Sequence, residues 1–159
     1  MIIEYDKKYD NDVKNLLAQL QKYIQKIDAS GNTLFNDEFK EKYFKEKLEE
    51  VKKYNGKILL YEEDGKIVGL VIGFINNEKE ETIEYKVPKR GRIIELVVSE
   101  KMRSKGIGTI LLKEMEKYLK SVGCIDVLLG VLSYNEDAIE FYEKNGYHMH
   151  IIDMVKNNV

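Results

Sequence analysis

The residues from Arg103 to Gly108, Arg-Ser-Lys-Gly-Ile-Gly, join an apolar run, Ile93 to Val98, to the helical run that starts at Thr109. Their types and spacing suit the binding of a phosphorylated ligand. The first turn of a helix leaves backbone N–H groups without intrahelical partners, and the macrodipole adds partial positive charge there. An anion fits such a terminus. Gly106 and Gly108 let a diphosphate approach the main chain, and Arg103 and Lys105 add charge that the backbone does not supply. A P-loop is excluded, because Gly106 is followed by Ile107, Gly108 and Thr109 rather than by Lys and Ser/Thr. A dinucleotide fingerprint fails as well, since Leu111 stands where its third glycine belongs.

Asn135, Ala138, Phe141-Tyr142 and Gly146-Tyr147 form a second spaced set downstream. The two stretches together resemble the Arg/Gln-x-x-Gly-x-Gly/Ala signature and the Asn-x-x-Ala-x-x-Phe-Tyr-x-x-x-Gly-Phe/Tyr motif of the GNAT superfamily of N-acetyltransferases. The resemblance spans nearly the whole chain. It implies acetyl-CoA as co-substrate, a primary amine as acceptor and direct attack of the amine on the thioester. The backbone from Arg103 through Ser104, Lys105, Gly106 and Ile107 to Gly108 would cradle the pyrophosphate. Leu96, Val97 and Val98 would pair with pantetheine and face the thioester carbonyl. A β-bulge near Val97 is implied too, splaying this strand from the next to open a slot for the cofactor. Asn135 would bond the pantetheine arm, although Asn before Glu136 and Asp137 is equally a well-formed helix cap.

Tyr142 falls at the family's general-acid position. An aliphatic thiol titrates near ~8.5 and a phenol near ~10, so a tyrosine stays protonated at neutral pH and can donate to the leaving sulfur. The structural alternative is a core tyrosine beside Ala138 and Phe141. An alkylamine, at about 10.4 for lysine, must lose a proton before or during attack. Glu95 is the candidate acceptor, being the ionisable residue inside the run Ile93 to Val98. It would act directly, through water, or by attracting a cation; otherwise it is an outward-facing strand residue.

The elements that must position these groups alternate along the chain. Met1 to Tyr5 reads as a strand. Val13, Leu16, Leu17, Leu20, Ile24 and Ile27 recur at helical spacing over 10–26, and Phe39, Tyr43, Phe44, Leu48 and Val51 over 37–53, where Asp37 is a cap candidate. Ile27 to Asn36 is a loop. Strands Lys57 to Tyr61 and Lys66 to Ile75 flank the hairpin signal Asp64-Gly65. Residues 76–91, with the acidic run 78–81 and the only proline, Pro88, read as a mobile extension or loop. A strand over Ile93 to Val98, a helix ending at Leu119, a strand over Asp126 to Val131, a helix over Glu136 to Lys144 and a strand over Tyr147 to Val155 complete the order. The order β-α-α-β-β-β-α-β-α-β is what a GNAT domain would show. The expected fold is therefore α/β, a mixed and mostly antiparallel sheet of about 6 to 7 strands with about 4 helices, in one domain over 1–159.

Composition limits the partners. With 26 basic and 28 acidic residues mixed along 159, no basic footprint of a nucleic-acid binder stands out. The longest apolar run, Ile67 to Ile75, is far short of the ~20 residues of a membrane helix. Neither nucleic acid nor membrane is an expected partner, and a single cysteine, Cys124, with no charged-then-apolar leader, points to the cytoplasm. His148 and His150 share a face of the expected last strand without a third ligand, so no metal is expected. Cys124 reads as a small buried residue.

For the acceptor, the resemblance points to Ile27 to Asn36 and Asn76 to Arg92. Asp28, Asp37 and Glu95 favour a cation, whereas Lys86, Lys89, Arg90 and Arg92 favour an anionic group, so the acceptor stays open. A non-catalytic acyl-CoA-binding or sensing domain and a protein acetyltransferase acting on lysines or N-termini are the other readings. A homodimer is admitted by the resemblance, without a legible interface.

Overall fold

The computed structural model describes residues 1–36, 38–76 and 88–156. Its elements are β1 (Ile2–Glu4), α1 (Asp10–Ile27), α2 (Phe39–Lys53), β2 (Lys57–Glu63), β3 (Lys66–Asn76), β4 (Arg90–Val98), α3 (Ile107–Ser121), β5 (Asp126–Leu129) and α4 (Glu136–Lys144). The expected Asp37 cap, Lys86 and the excursion over 77–87 lie outside the described residues.

The strands form one sheet in the order β1-β2-β3-β4-β5, antiparallel except for the parallel pair β4/β5. Asp64 and Gly65 both take positive φ, +49° and +73°, as a two-residue turn between twisted strands requires. Alternation along the strands divides the core. Leu60, Leu70 and Ile72 face Val13, Leu16 and Leu17 of α1 and Phe44 of α2. On the other face, Leu59, Val71 and Ile93 pack against Leu111, Leu112, Met115 and Leu119 of α3. Helices α1, α2 and α3 each hide one apolar stripe, which supplies most of their stability in water.

The irregularity that matters lies between β3 and β4. Ile72 pairs with Glu95 and Gly73 with Ile93, so Ile94 is an extra residue on β4. The bulge therefore sits at Ile94, not near Val97. Because side chains alternate with a period of two, one inserted residue flips the phase of everything after it. Before the bulge Ile93 faces α3; after it Val97 faces α1 and α2, with Ile94 packed on that same side.

β4 pairs with β5 only through Arg90–Ile93 and Asp126–Leu129. Past the bulge it follows β3 alone, and β5 ends at Leu129 rather than Val131. Ser99 N–H donates to Val68 O at 2.8 Å, so by alternation Val97 and Glu95 also turn their main-chain groups to β3, and those of Leu96 and Val98 point to the open edge.

Three further expectations are corrected. Among the described residues the sheet has five strands, fewer than the 6 to 7 expected. The stretch from Tyr147 to Val155 forms no strand, and Met149, Ile151, Ile152, Met154 and Val155 are exposed there. β4 starts at Arg90 rather than Ile93, where Gly91 is required: a Cβ there would lie 2.6 Å from Leu119 Cδ1.

Candidate active site at the splayed strands

β4, the turn after it, the start of α3 and the helix α4 converge at the open edge. In the turn, Ser104 and Gly106 take left-handed φ, +62° and +78°, and α3 begins at Ile107, which is buried and anchors an otherwise exposed loop. Ile110 N–H donates to Gly106 O at 3.1 Å, opening the helix. Gly108 is confined: a Cβ there would lie 3.3 Å from Phe141 Cζ and 3.8 Å from Val98 Cγ2. Gly108, Val98 and Phe141 thus meet at one point, which brings the two sequence stretches together.

The cations of the turn are partly engaged with the protein. Arg103 Nε donates to Val98 O at 3.2 Å, and its guanidinium lies 5.3 Å from the ring centre of Tyr23 on α1. Lys105 Nζ lies 3.6 Å from Met102 Sδ. Asn135 Oδ1 accepts from Ala138 N–H at 3.4 Å, which makes it the cap of α4, and from Tyr23 OH at 3.4 Å.

Glu95 is 8% exposed, and the bulge turns it toward α2, where it accepts a hydrogen bond from Tyr43 OH. Burial pushes its carboxyl up from 4.5 to about 7, against the Tyr43 hydrogen bond and the Lys47 charge; Glu50 and Glu46 push the same way as burial. Lys47 is itself buried, bonded to Glu50 at 2.8 Å and Glu46 at 3.2 Å, with its ammonium 4.7 Å from the Tyr43 ring centre. Burial pulls that ammonium down, yet the two carboxylates outweigh it and its pKa is raised.

Tyr142 packs edge-on against Phe141 and Tyr147, with ring centres 5.2 and 5.7 Å away, on the α3 side of the sheet. Burial, then the charge of Glu95, raises its hydroxyl to about 12. The Glu95 carboxyl, near neutrality on the α2 side, and the Tyr142 phenol, held protonated on the α3 side, flank the splayed strand, and the charge of Glu95 reaches the phenol.

The sequence profile of the acetyltransferase (GNAT) family matches residues 24–147. The chain belongs to the GNAT acetyltransferase family. A curated relative, an N-alpha-acetyltransferase of Sulfurisphaera tokodaii, is 33% identical over 106 residues, 63% of this chain and 61% of that protein. N-alpha-acetyltransferase 60 of Xenopus tropicalis is 36% identical over 61 residues, 36% of this chain and 25% of its own length. The matches thus span less than two thirds of either relative. Among solved structures, a mutant of the BH1408 protein from Bacillus halodurans superposes with a TM-score of 0.81 at 20% identity, covering 100% of this chain and 99% of that one, a likeness of fold.

Around this site the readings of Asp28, Lys89 and Arg90 as acceptor-binding residues change. Asp28 does not present its carboxylate to an acceptor, because Ser30, Thr33 and Tyr134 all donate to it. Lys89 donates to Val122 O, and Arg90 pairs with Asp126 at 3.4 Å. His148 and His150 are exposed, and among the described residues no group of three or more His, Cys, Asp or Glu is placed to hold a metal ion. Cys124 is buried, and burial raises its thiol. No helix among the described residues is long and apolar enough to cross a membrane. Tyr43, Lys47, Tyr23 and Tyr134 were missed. One signal was readable: Lys47 stands three residues after Phe44 and four before Val51, on the apolar stripe of α2.

Proposed function

We propose that this chain transfers an acetyl group from acetyl-CoA to a primary amine by direct attack, with Glu95 accepting a proton and Tyr142 donating one. The observation that carries the proposal is a buried carboxyl, at about 7, on the splayed stretch of β4, whose charge raises the Tyr142 hydroxyl. The co-substrate fits this chain on structural grounds. The open edge at Leu96 and Val98 offers main-chain partners to an extended arm, and the left-handed turn at Gly106 aims the N-terminus of α3 at an anion. A side chain at Gly108 would fill the space against Phe141.

In this reading Arg103, Ser104, Lys105, Gly106, Ile107 and Gly108 hold the pyrophosphate, and Leu96, Val98 and Asn135 hold the arm; Val97, expected with them, spends its main-chain groups on β3 and its side chain on the α1 and α2 side. Acetyl-CoA supplies the activated carbonyl. Glu95, ionised above about pH 7, takes the proton of the attacking amine. Tyr142, protonated throughout the neutral range, gives its proton to the departing sulfur. No acyl-cysteine is needed, in keeping with the buried, raised Cys124 thiol.

Within this proposal a protein α-amine is the favoured acceptor over lysine. An α-amino group titrates at about 7.7–8.0 and a lysine at about 10.4, so a base near 7 is better matched to the former. The relatives named N-alpha-acetyltransferases support the same choice. The test is mass spectrometry of a competition between peptides with free N-termini, peptides with blocked N-termini and one lysine, and small polyamines. Acetylation of free N-termini first is expected. Preference for blocked lysine peptides or polyamines would overturn the acceptor class, and binding of acetyl-CoA without transfer would favour a sensor.

A further inference from the structure

We infer that Asp28 and Tyr134 are positioning residues: they clasp the loop between α1 and α2 to the loop between β5 and α4, so that holding the cofactor side of the site orders the acceptor side. The inference rests on the proposed cofactor role of Asn135.

The clasp is built on one carboxylate. Asp28 Oδ1 accepts from Ser30 N–H at 2.8 Å, Ser30 Oγ at 2.6 Å and Tyr134 OH at 2.9 Å. Its Oδ2 accepts from Thr33 N–H at 2.7 Å and Thr33 Oγ1 at 2.6 Å. These bonds hold the carboxyl well below the usual carboxylate range, so it remains an anionic acceptor at any working pH. Four of the five donors are local and shape the loop. The fifth, Tyr134, arrives from a segment 106 residues away and has no local reason to be there.

Two continuous chains of contact leave this point. Toward the cofactor side, Tyr134 adjoins Asn135, which accepts from Tyr23 OH on α1; Tyr23 carries the Arg103 guanidinium on its ring, and Arg103 donates to Val98 O. Adjacent residues, Tyr134 and Asn135, therefore bond one position just beyond the end of α1, Asp28, and one in its last turns, Tyr23. Toward the acceptor side, Gln21 Nε2 donates to Leu34 O at 2.9 Å and fixes the loop along α1. Phe35 then packs on Phe39 with ring centres 5.3 Å apart, Phe39 stacks on Tyr43 at 4.6 Å, and Tyr43 donates to Glu95. The loop is thus the piece that joins Tyr134 to the proposed base. A ligand that fixes Asn135 reduces the freedom of Tyr134 and, through Asp28, of residues 28–36; by linkage an acceptor held by that loop strengthens cofactor binding equally.

Backbone hydrogen exchange at Ser30 and Thr33, measured for wild type and Tyr134→Phe with and without acetyl-CoA, tests this, with calorimetric titration of acetyl-CoA into the same samples. The substitution removes one hydroxyl from a partly exposed ring, so the fold is retained. In wild type, acetyl-CoA is expected to slow exchange at both amides. In the variant, exchange without ligand should be about tenfold faster, the scale of a lost charged hydrogen bond, and acetyl-CoA should bind yet no longer slow it. Equal exchange in the two proteins, or equal slowing by acetyl-CoA in both, would overturn the clasp. Binding without protection in wild type overturns the coupling alone. Absence of binding to either folded protein removes the cofactor reading and the coupling with it.

Discussion

Replacing Glu95 with glutamine should make the protein more stable than wild type by an amount that grows as pH rises above 4.5 and levels off above about 7. The carboxyl is raised from 4.5 to about 7, chiefly because burial disfavours its charge. Below pH 4.5 it is protonated in folded and unfolded chains alike. Between 4.5 and about 7 the unfolded chain releases the proton while the folded chain keeps it, so stability falls as pH rises; the loss is complete once the folded carboxyl ionises. At about 1.4 kcal/mol per pH unit, the folded state loses about 3 kcal/mol between pH 4.5 and pH 8. Glutamine keeps the shape and still accepts from Tyr43 OH but cannot ionise. Urea unfolding of both proteins across that range isolates the effect, since all other titrations are shared and cancel in the difference. The variant should gain about 3 kcal/mol on wild type from pH 4.5 to pH 8. Curves that stay parallel across this range would show that Glu95 ionises at no cost, and the reasoning that makes it a base near neutrality would fail.

Four other outcomes are expected. Tyr142→Phe should lower kcat by about 10²-fold or more while calorimetry finds acetyl-CoA affinity unchanged; retained turnover would remove the general-acid role. Tyr43→Phe removes a bond that holds the Glu95 carboxyl down, so the acid midpoint of kcat/KM should move from about 7 to higher pH, and an unmoved midpoint would count against the contact. Gly108→Glu places a side chain against Phe141, 3.3 Å from the Cβ position, and a negative charge at the turn; acetyl-CoA binding should vanish while circular dichroism is retained. Leu112→Ala, at a fully buried site beneath β3 and β4, should cost about 2–5 kcal/mol in urea unfolding, and a cost under about 1 kcal/mol would show that α3 is not packed as described.

Both motif stretches were legible because they state backbone requirements locally: Gly106 sits at positive φ, and Asn135 caps α4. The amphipathic helices and the Asp64-Gly65 hairpin were legible for the same reason. What the sequence hid was relational. The run Ile93 to Val98 is apolar except at Glu95 and bears no mark at Ile94, and only its register against Ile72 and Gly73 reveals the extra residue that swings Glu95 from the α3 side to α2. Asp28 looked available to a cationic acceptor because a carboxylate's partners are invisible in one dimension; Tyr134 lies 106 residues away. The alternation after Tyr147 suggested a strand, yet alternation only predicts a strand where one face has something to cover, and Ile151, Ile152 and Met154 lie exposed instead.

Direct transfer is tested most sharply by a rapid-quench single turnover with acetyl-labelled acetyl-CoA and a peptide bearing a free N-terminus, following label on the amine, label on the protein and free CoA thiol together. Amide and thiol should appear at one rate and in equal amounts, with the protein unlabelled. Label reaching the protein before the amine, or thiol released without amide, would contradict direct attack assisted by Glu95 and Tyr142.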